Sequence, residues 1–369
     1  MAGGWISQPN HGHIHSLPAM HLFHVLKNSE IAELLAREAE HAKQPLQRAL
    51  RRASRRAFLW PEEAADIYRQ GETLTQLSGI GPYLSKLIVQ WLSKPPDSPD
   101  IPEIRSDFLT MADAKSMRKK RPQIFESVRG DLQMHTTWSD GSASIQEMAE
   151  AAAERGYSYI AITDHAKGLK IAGGIDESQL DLQRREIAQV NDSMRKRGLR
   201  VMRSIELNLS PSGEGDIDES YLKGLDLVLG CFHSALRRKE DQTERYLAAL
   251  RNPSIHILGH PRGRIYNFRV GLRADWARVF ALAAQFDKAV EVDCYPDRQD
   301  LNIDLLRLAK QEGCRISLGT DSHGPSQLAF MDLGLAAVSI AGVDRRRILN
   351  FLSAEELLRW TSSFEVRAA

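Results

Sequence analysis

The chain has 369 residues, 42% of them apolar and 26% charged, and its 49 basic and 48 acidic side chains leave a formal charge of +1. That length suits two domains, or one large barrel with a small extra module, and the balanced charge confines any polyanion site to a local patch. Three scattered cysteines, Cys231, Cys294 and Cys314, exclude a zinc finger and a disulfide framework and fit a reducing compartment.

No apolar run reaches the ~18 residues of a membrane span. No basic stretch leads into an apolar core at the N-terminus, so a cytoplasmic location is expected. Residues 1–27 read as a disordered leader. His11, His13 and His15 have metal-ligand spacing, yet neither a carboxylate nor a strand follows to complete a site.

From 28 to 94 the pattern is helical. Ile31, Leu34 and Leu35 recur at helical spacing, with Asn28 or Ser29 as the candidate cap. A second helix follows Pro45. Leu46, Ala49, Leu50, Ala53 and Ala57 form its apolar set, and Arg48, Arg51, Arg52, Arg55 and Arg56 form a stripe on the other face. Such a run reads either as a solvated face or as a seat for a phosphate backbone, since nothing acidic within the helix offsets the mutual repulsion.

Leu77-Ser78-Gly79-Ile80-Gly81 then lies between two apolar helical segments. The glycines permit a tight turn and close backbone approach. The following helix offers free N–H groups at its start, a good seat for phosphate. This stretch resembles the helix-hairpin-helix motif, which grips DNA backbones without reading sequence. Arg48, Arg51, Arg52, Arg55, Gly79, Gly81 and Lys86 are the candidate DNA contacts. Residues 95–125 read as a linker, opened by Pro95, Pro96, Pro99 and Pro102 and closed by Lys115, Arg118, Lys119, Lys120 and Arg121.

From 126 to 369 short apolar strands alternate with amphipathic helices. Strands are expected near 128–134, 158–163, 200–207, 225–232, 255–259, 289–294 and 315–319. Helices are expected near 144–155, 178–197, 240–251, 273–286 and 301–312. Repeated β-α units imply parallel crossovers, with the site at the C-terminal ends of the strands.

Six histidines follow residue 130, and five of them, His135, His165, His233, His260 and His323, fall at or just after a strand end. Equivalent ends of parallel strands converge on one mouth. The contexts are Met134-His135-Thr136-Thr137-Trp138-Ser139-Asp140-Gly141, Thr163-Asp164-His165, Ser204-Ile205-Glu206, Cys231-Phe232-His233-Ser234, Gly259-His260-Pro261 and Thr320-Asp321-Ser322-His323. Imidazole and carboxylate together suit Zn²⁺, Mn²⁺ or Fe²⁺.

These motifs, in this order from about 128 to 340, resemble the polymerase-and-histidinol-phosphatase (PHP) domain family. The resemblance implies an α/β fold, a distorted seven-stranded (β/α)7 TIM-like barrel, here preceded by a small all-α helix-hairpin-helix domain. It implies a metal-dependent phosphoesterase with two or three divalent ions. One ion would sit between position 133, His135, Glu206 and Asp321. Glu206 would bridge to a second held by His233 and His260. A third would be held by Asp140, His165 and His323. His165, Glu206 and Asp321 are the expected catalytic centre. Asp164 is expected either to orient His165 or a neighbour, or simply to cap a strand end.

The family usually carries His-x-His on its first strand. Here the first member is Gln133, a weaker and neutral ligand. Arg262 and Arg264 after His260, and Lys167 and Lys170 after His165, are candidate rim groups for substrate phosphate. The order of parts further resembles bacterial family X DNA polymerases. Between Leu92 and Ser127, however, too few residues remain for a polymerase palm, so no polymerase activity is expected. Leu87 stands where relatives carry a lyase lysine, with Lys86 beside it, so no lyase is expected either.

The leading expectation is a 3′-5′ exonuclease or 3′-end-processing enzyme of DNA repair. The alternatives are a small-molecule phosphatase of the histidinol-phosphatase type and a non-catalytic DNA-binding module with a degenerate metal site.

Overall fold

A computed structural model describes residue 1, residues 25–96 and residues 100–368. His11, His13, His15 and Pro99 lie outside the described residues.

The N-terminal part begins with α1 (Asn28–His41) and α2 (Leu46–Ala57). Ile31, Ala32, Leu35 and Ala39 of α1 share one core with Leu50, Ala53 and Ala57 of α2. Neither candidate cap takes up that role, since Lys27 occupies the cap position of α1. Asn28 instead serves the next helix, α3 (Ala64–Arg69), where its Oδ1 accepts from the Ala64 N–H at 2.9 Å. The first arm of the expected hairpin is also shorter than its apolar pattern suggests. Leu74–Gln76 is a single 3-10 turn started by Thr73, whose side chain accepts from the Thr75 N–H. The second arm, α4 (Pro82–Ser93), is a full helix opened by proline.

The stretch expected as a linker carries α5 (Met111–Lys120) and α6 (Pro122–Phe125). A reciprocal Thr110–Asp113 capping box starts α5. It buries only the small Ala112 and Ala114, a face too narrow to stand out among five basic residues. This stretch also fastens the two parts together. Arg105 donates to both oxygens of buried Glu33 at 2.7 and 3.0 Å and to Asn267 Oδ1 at 3.1 Å. Tyr266, from the barrel, sits within the N-terminal core against Phe58 and Phe108, with its hydroxyl 3.0 Å from Ser54 Oγ.

The barrel strands are β1 (Gly130–Asp131), β2 (Tyr159–Ile162), β3 (Arg200–Asn208), β4 (Leu227–Cys231), β5 (Ile257–Leu258), β6 (Ala289–Asp293) and β7 (Arg315–Gly319). They form one parallel sheet in the order β1 to β7. The crossovers carry α7 (Ile145–Glu154), α8 (Glu177–Met194), α9 (Glu219–Leu222), α10 (Thr243–Arg251), α11 (Trp276–Gln285) and α12 (Ile303–Gln311). No ladder joins β1 to β7, and single contacts close the gap. Asp321 N–H donates to Gln133 O at 3.1 Å and His135 N–H to Ser322 O at 2.7 Å. Below them the buried Asn350 side chain accepts from Leu318 N–H at 2.7 Å and donates to Gly130 O at 2.9 Å.

Two helices follow the barrel, α13 (Met331–Ala341) and α14 (Ala354–Ala368). Leu357, Trp360 and Phe364 of α14 join the core formed by Leu132, Tyr159, Met202, Leu229 and Ile257. Trp360 also donates to Asp287 O, and Phe364 lies edge-on to His256, so α14 covers the N-terminal ends of β5 and β6. Among the described residues no helix is long and apolar enough to cross a membrane.

Lys288, just before β6, is 3% exposed, and burial pushes its pKa down to about 7. An unfolded lysine keeps its proton to about pH 10. The unfolded chain therefore binds more protons between pH 7 and 10, and this group's penalty is full below pH 7 and fades as pH rises. Lys288→Met should raise unfolding free energy at pH 7 by roughly 2–4 kcal/mol and by far less at pH 10. Urea titrations at both pH values check this, and an equal gain at both would refute it.

Candidate metal centre

The C-terminal ends of the strands bring the predicted ligands to one mouth. Glu206, near the end of β3, is fully buried at its centre. Its Oε1 is 2.8 Å from His233 Nε2 and 2.7 Å from His260 Nε2. Its Oε2 is 3.3 Å from both His135 Nε2 and His165 Nδ1. Asp321 Oδ1 lies 2.9 Å from His135 Nε2. On the outer side, Asp140 Oδ1 is 3.6 Å from His165 Nε2 and 3.4 Å from His323 Nε2. The His135 ring stacks 4.3 Å from His165 and lies 4.6 Å from His323.

These contacts are short, yet several are not aligned as hydrogen bonds. Both ring nitrogens of His135 and the Nδ1 of His165 are buried without a hydrogen-bond partner. Leaving such atoms unpaired costs about 1–3 kcal/mol each. Donor lone pairs that face one another instead of hydrogens are what a cation-binding cage requires, and the residues fit divalent ions. Burial, then the neighbouring His135 and His233, pushes His165 down to about pH 4, so its imidazole is neutral and free to ligate. Burial opposes ionisation of Glu206, but His165, His260 and His233 hold its pKa well below the usual range.

Supporting groups surround the cage. The Asp164 carboxylate takes its hydrogen bonds from residues other than His165. It accepts from Thr136 N–H at 2.7 Å, Ser139 Oγ at 2.6 Å and Gln183 Nε2 at 2.8 Å, and so shapes the turn that presents Asp140. Gln133 is fully buried between two carboxylates. One amide orientation puts its nitrogen 3.3 Å from Glu206 Oε2, and the opposite one puts it 2.8 and 3.1 Å from Glu291. Burial, then Asp293, raises the Glu291 pKa well above the usual range.

Gly319 makes this approach feasible. A Cβ there would lie 2.3 Å from Glu291 Oε1 and 2.5 Å from Gln133 Cβ. Gly319→Ala is expected to cost about 1–3 kcal/mol of stability and to weaken metal retention. Thermal unfolding with metal analysis checks both, and unchanged values would refute the packing argument.

Sequence reasoning placed a strand at 289–294 but gave its acidic side chains no role, because the strand carries no histidine. Glu291 and Asp293 alternate on one face of that strand, and both are fully buried. Arg298 follows, with Nη1 3.1 Å from Asp321 Oδ2. The i, i+2 spacing of the two acids in an apolar strand was the available signal. Cys231 lies beneath Glu206 and His260, but burial, then Glu206 and Glu291, raises its pKa and keeps it a thiol.

The expected phosphate groups separate. Arg264 is 4% exposed, donates to Arg298 O and Asp107 O and lies 3.7 Å over the Phe108 ring, so it fastens the barrel to residues 106–108. Arg262 is half-buried and donates to Val270 O. Lys167 is exposed and paired with Glu177, and Lys170 is exposed.

In the N-terminal part, Arg48, Arg51, Arg52, Arg55 and Lys86 are all exposed. Arg56 leaves the stripe to lie across the hairpin turn, where it donates to Ser78 Oγ. Gly79 has φ +84° there, while Gly81 is extended with open space around it. Burial raises the Asp297 pKa, opposed by Arg298 and then Arg55, which puts Arg55 within electrostatic reach of the Arg298 loop.

The sequence profile of the PHP domain matches residues 131–299. A probable phosphatase of Photobacterium profundum is 30% identical over 204 residues, covering 52% of this chain and 77% of that protein. The chain belongs to the PHP domain family. PHP-domain proteins are metal-dependent phosphoesterases, and this chain is a hydrolase of phosphate esters in that class. The DNA polymerase/3'-5' exonuclease PolX of Bacillus subtilis is 34% identical over 231 residues, 62% of this chain, and the chain spans 40% of that relative's length. A solved histidinol phosphate phosphatase of Lactococcus lactis, complexed with zinc, L-histidinol and phosphate, aligns with a TM-score of 0.44 at 16% identity. That alignment covers 58% of this chain and 94% of the other. Asp321 and His323 of the PHP barrel lie beyond the matched segment.

Proposed function

We propose that this PHP protein hydrolyses phosphate esters at DNA 3′ ends, as a 3′-5′ exonuclease or end-processing enzyme without polymerase activity. The observation that carries this reading is the exposed arginine stripe of α2, a helix held by Ser54 and Tyr266 against the loop that follows β5. A phosphate backbone held on that stripe runs toward the metal centre. Residues 28–94 act as the DNA-gripping module, with Gly79, Gly81 and the start of α4 taking a second phosphate.

His135, Glu206 and Asp321 would hold one divalent ion, with Gln133 as a weak fourth ligand. Glu206, His233 and His260 would hold a second, and Asp140, His165 and His323 a third. Bound Zn, Mn or Fe ions supply an activated water and neutralise charge on the transferring phosphoryl group. Arg298 draws the substrate phosphate toward Asp321. Arg262 extends the positive rim. Hydrolysis adds water across the P–O bond, and the leaving 3′ oxygen takes up a proton. The likeness to a probable phosphatase, which the chain covers over 77% of its length, favours a small-molecule phosphatase as second reading. That reading leaves the N-terminal module without a role.

The test is hydrolysis of 5′-labelled oligonucleotides with added Mn²⁺ by the intact protein and by His165→Ala. A shortening ladder that vanishes in the variant supports the proposal. Hydrolysis of small phosphate esters alone would overturn it in favour of the second reading.

A further inference from the structure

We propose that Phe268 and Arg237 form a shelf beside the metal centre on which the base of the terminal nucleotide stacks. This rests on the reading of DNA as substrate and names the group that would select it over small phosphate esters.

Phe268 is 52% exposed. Its backbone is not loose. Ile265 and Arg269 exchange both backbone hydrogen bonds at 2.9 Å, and Asn267 takes φ +54° between them. Tyr266 points into the N-terminal core, and its N–H donates to Asp297 O at 2.7 Å. The turn thus fixes Tyr266 inward and leaves Phe268 outward. Arg237 lies 4.4 Å over the Phe268 ring, and Arg269 lies 6.0 Å away.

The position ties this ring to the chemistry. Phe268 belongs to the loop that follows His260, and Arg237 to the loop that follows His233. Those two imidazoles share one oxygen of Glu206. The loops touch, since a Cβ on Gly263 would lie 3.0 Å from Leu236. Asp297, which anchors the turn, adjoins Arg298, itself 3.1 Å from Asp321. An aromatic face backed by a guanidinium, on a rigid turn anchored next to Arg298, matches the chemistry of a nucleotide. The ring takes the base, Arg237 backs the ring from its other face, and Arg298 faces the phosphate. A rigid aromatic anchor orders little on binding, so its contact is kept as affinity. A small ester has no base and gains nothing from the shelf.

The experiment compares kcat/KM of the Mn²⁺-loaded full chain on single-stranded oligonucleotides and on glycerol 2-phosphate, a small ester without a ring. Phe268→Ala is expected to lower the ratio of the two by at least about fivefold, and Phe268→Trp to preserve it. An oligonucleotide ending in an abasic residue should lose a similar factor with the intact protein and lose no more with Phe268→Ala. An unchanged ratio, or equal sensitivity on the abasic substrate, would overturn the shelf while leaving DNA as the substrate. Intact protein that cleaves the small ester but no oligonucleotide would overturn both readings.

Discussion

Glu206→Ala is expected to remove metal retention and phosphate-ester hydrolysis together. This one carboxylate approaches four imidazoles, two on each oxygen, at 2.7 to 3.3 Å. Loss of a partner that only supports a metal ligand typically costs 10–100-fold in affinity or activity. Loss of a group shared by two adjacent sites should exceed that, by about 10³-fold or more on hydrolysis. The variant also leaves buried imidazoles without a counter-charge, so Glu206→Gln, which keeps the shape, is the companion. Metal content by mass spectrometry and turnover of a small phosphate ester are the measurements. Full metal content with normal turnover in Glu206→Gln would contradict the placement of Glu206 at the centre.

Replacing Arg48, Arg51, Arg52 and Arg55 together by alanine is expected to weaken DNA binding by several orders of magnitude at low salt. Small-ester turnover should change little. Each phosphate contact contributes about 0.9 to the slope of log affinity against log salt on duplex DNA, so the slope should fall by up to about 3–4. These side chains are exposed and outside the N-terminal core, so the fold should survive. Point changes are preferable to deleting the first 95 residues, because deletion uncovers Tyr266 and Arg105 and confounds binding with stability. Salt-dependent binding curves decide the matter, and an unchanged slope would make the stripe an ordinary solvated face.

Much of the barrel was legible because its signals are local. Short apolar strands with amphipathic helices between them located all seven strands, and the five strand-end histidines do converge on Glu206 and Asp140. Parallel strands force that outcome, since every βα loop opens on the same face. The N-terminal helices were legible for the same reason, with boundaries shifted where a side chain served a distant element. Asn28 is the plain case, as it caps α3 from the first residue of α1.

By itself the sequence determined the element order, the family likeness and the imidazole and carboxylate side chains at the mouth. All of these follow from residue identity and spacing along a few tens of residues. The tertiary structure alone decided which charged groups are free and which are consumed. Arg264 follows His260 as Arg262 does, yet Phe108 and Asp107, more than 150 positions earlier, take its guanidinium. Arg56 shares the spacing of its neighbours in the stripe but folds over Ser78. Glu291 and Asp293 are turned inward by β6, with Arg298 in the loop after it, and Phe268 stays exposed because Tyr266 anchors its turn in the N-terminal core. A charged or aromatic side chain finds its role through partners brought near by the whole fold, and chain spacing carries no record of them.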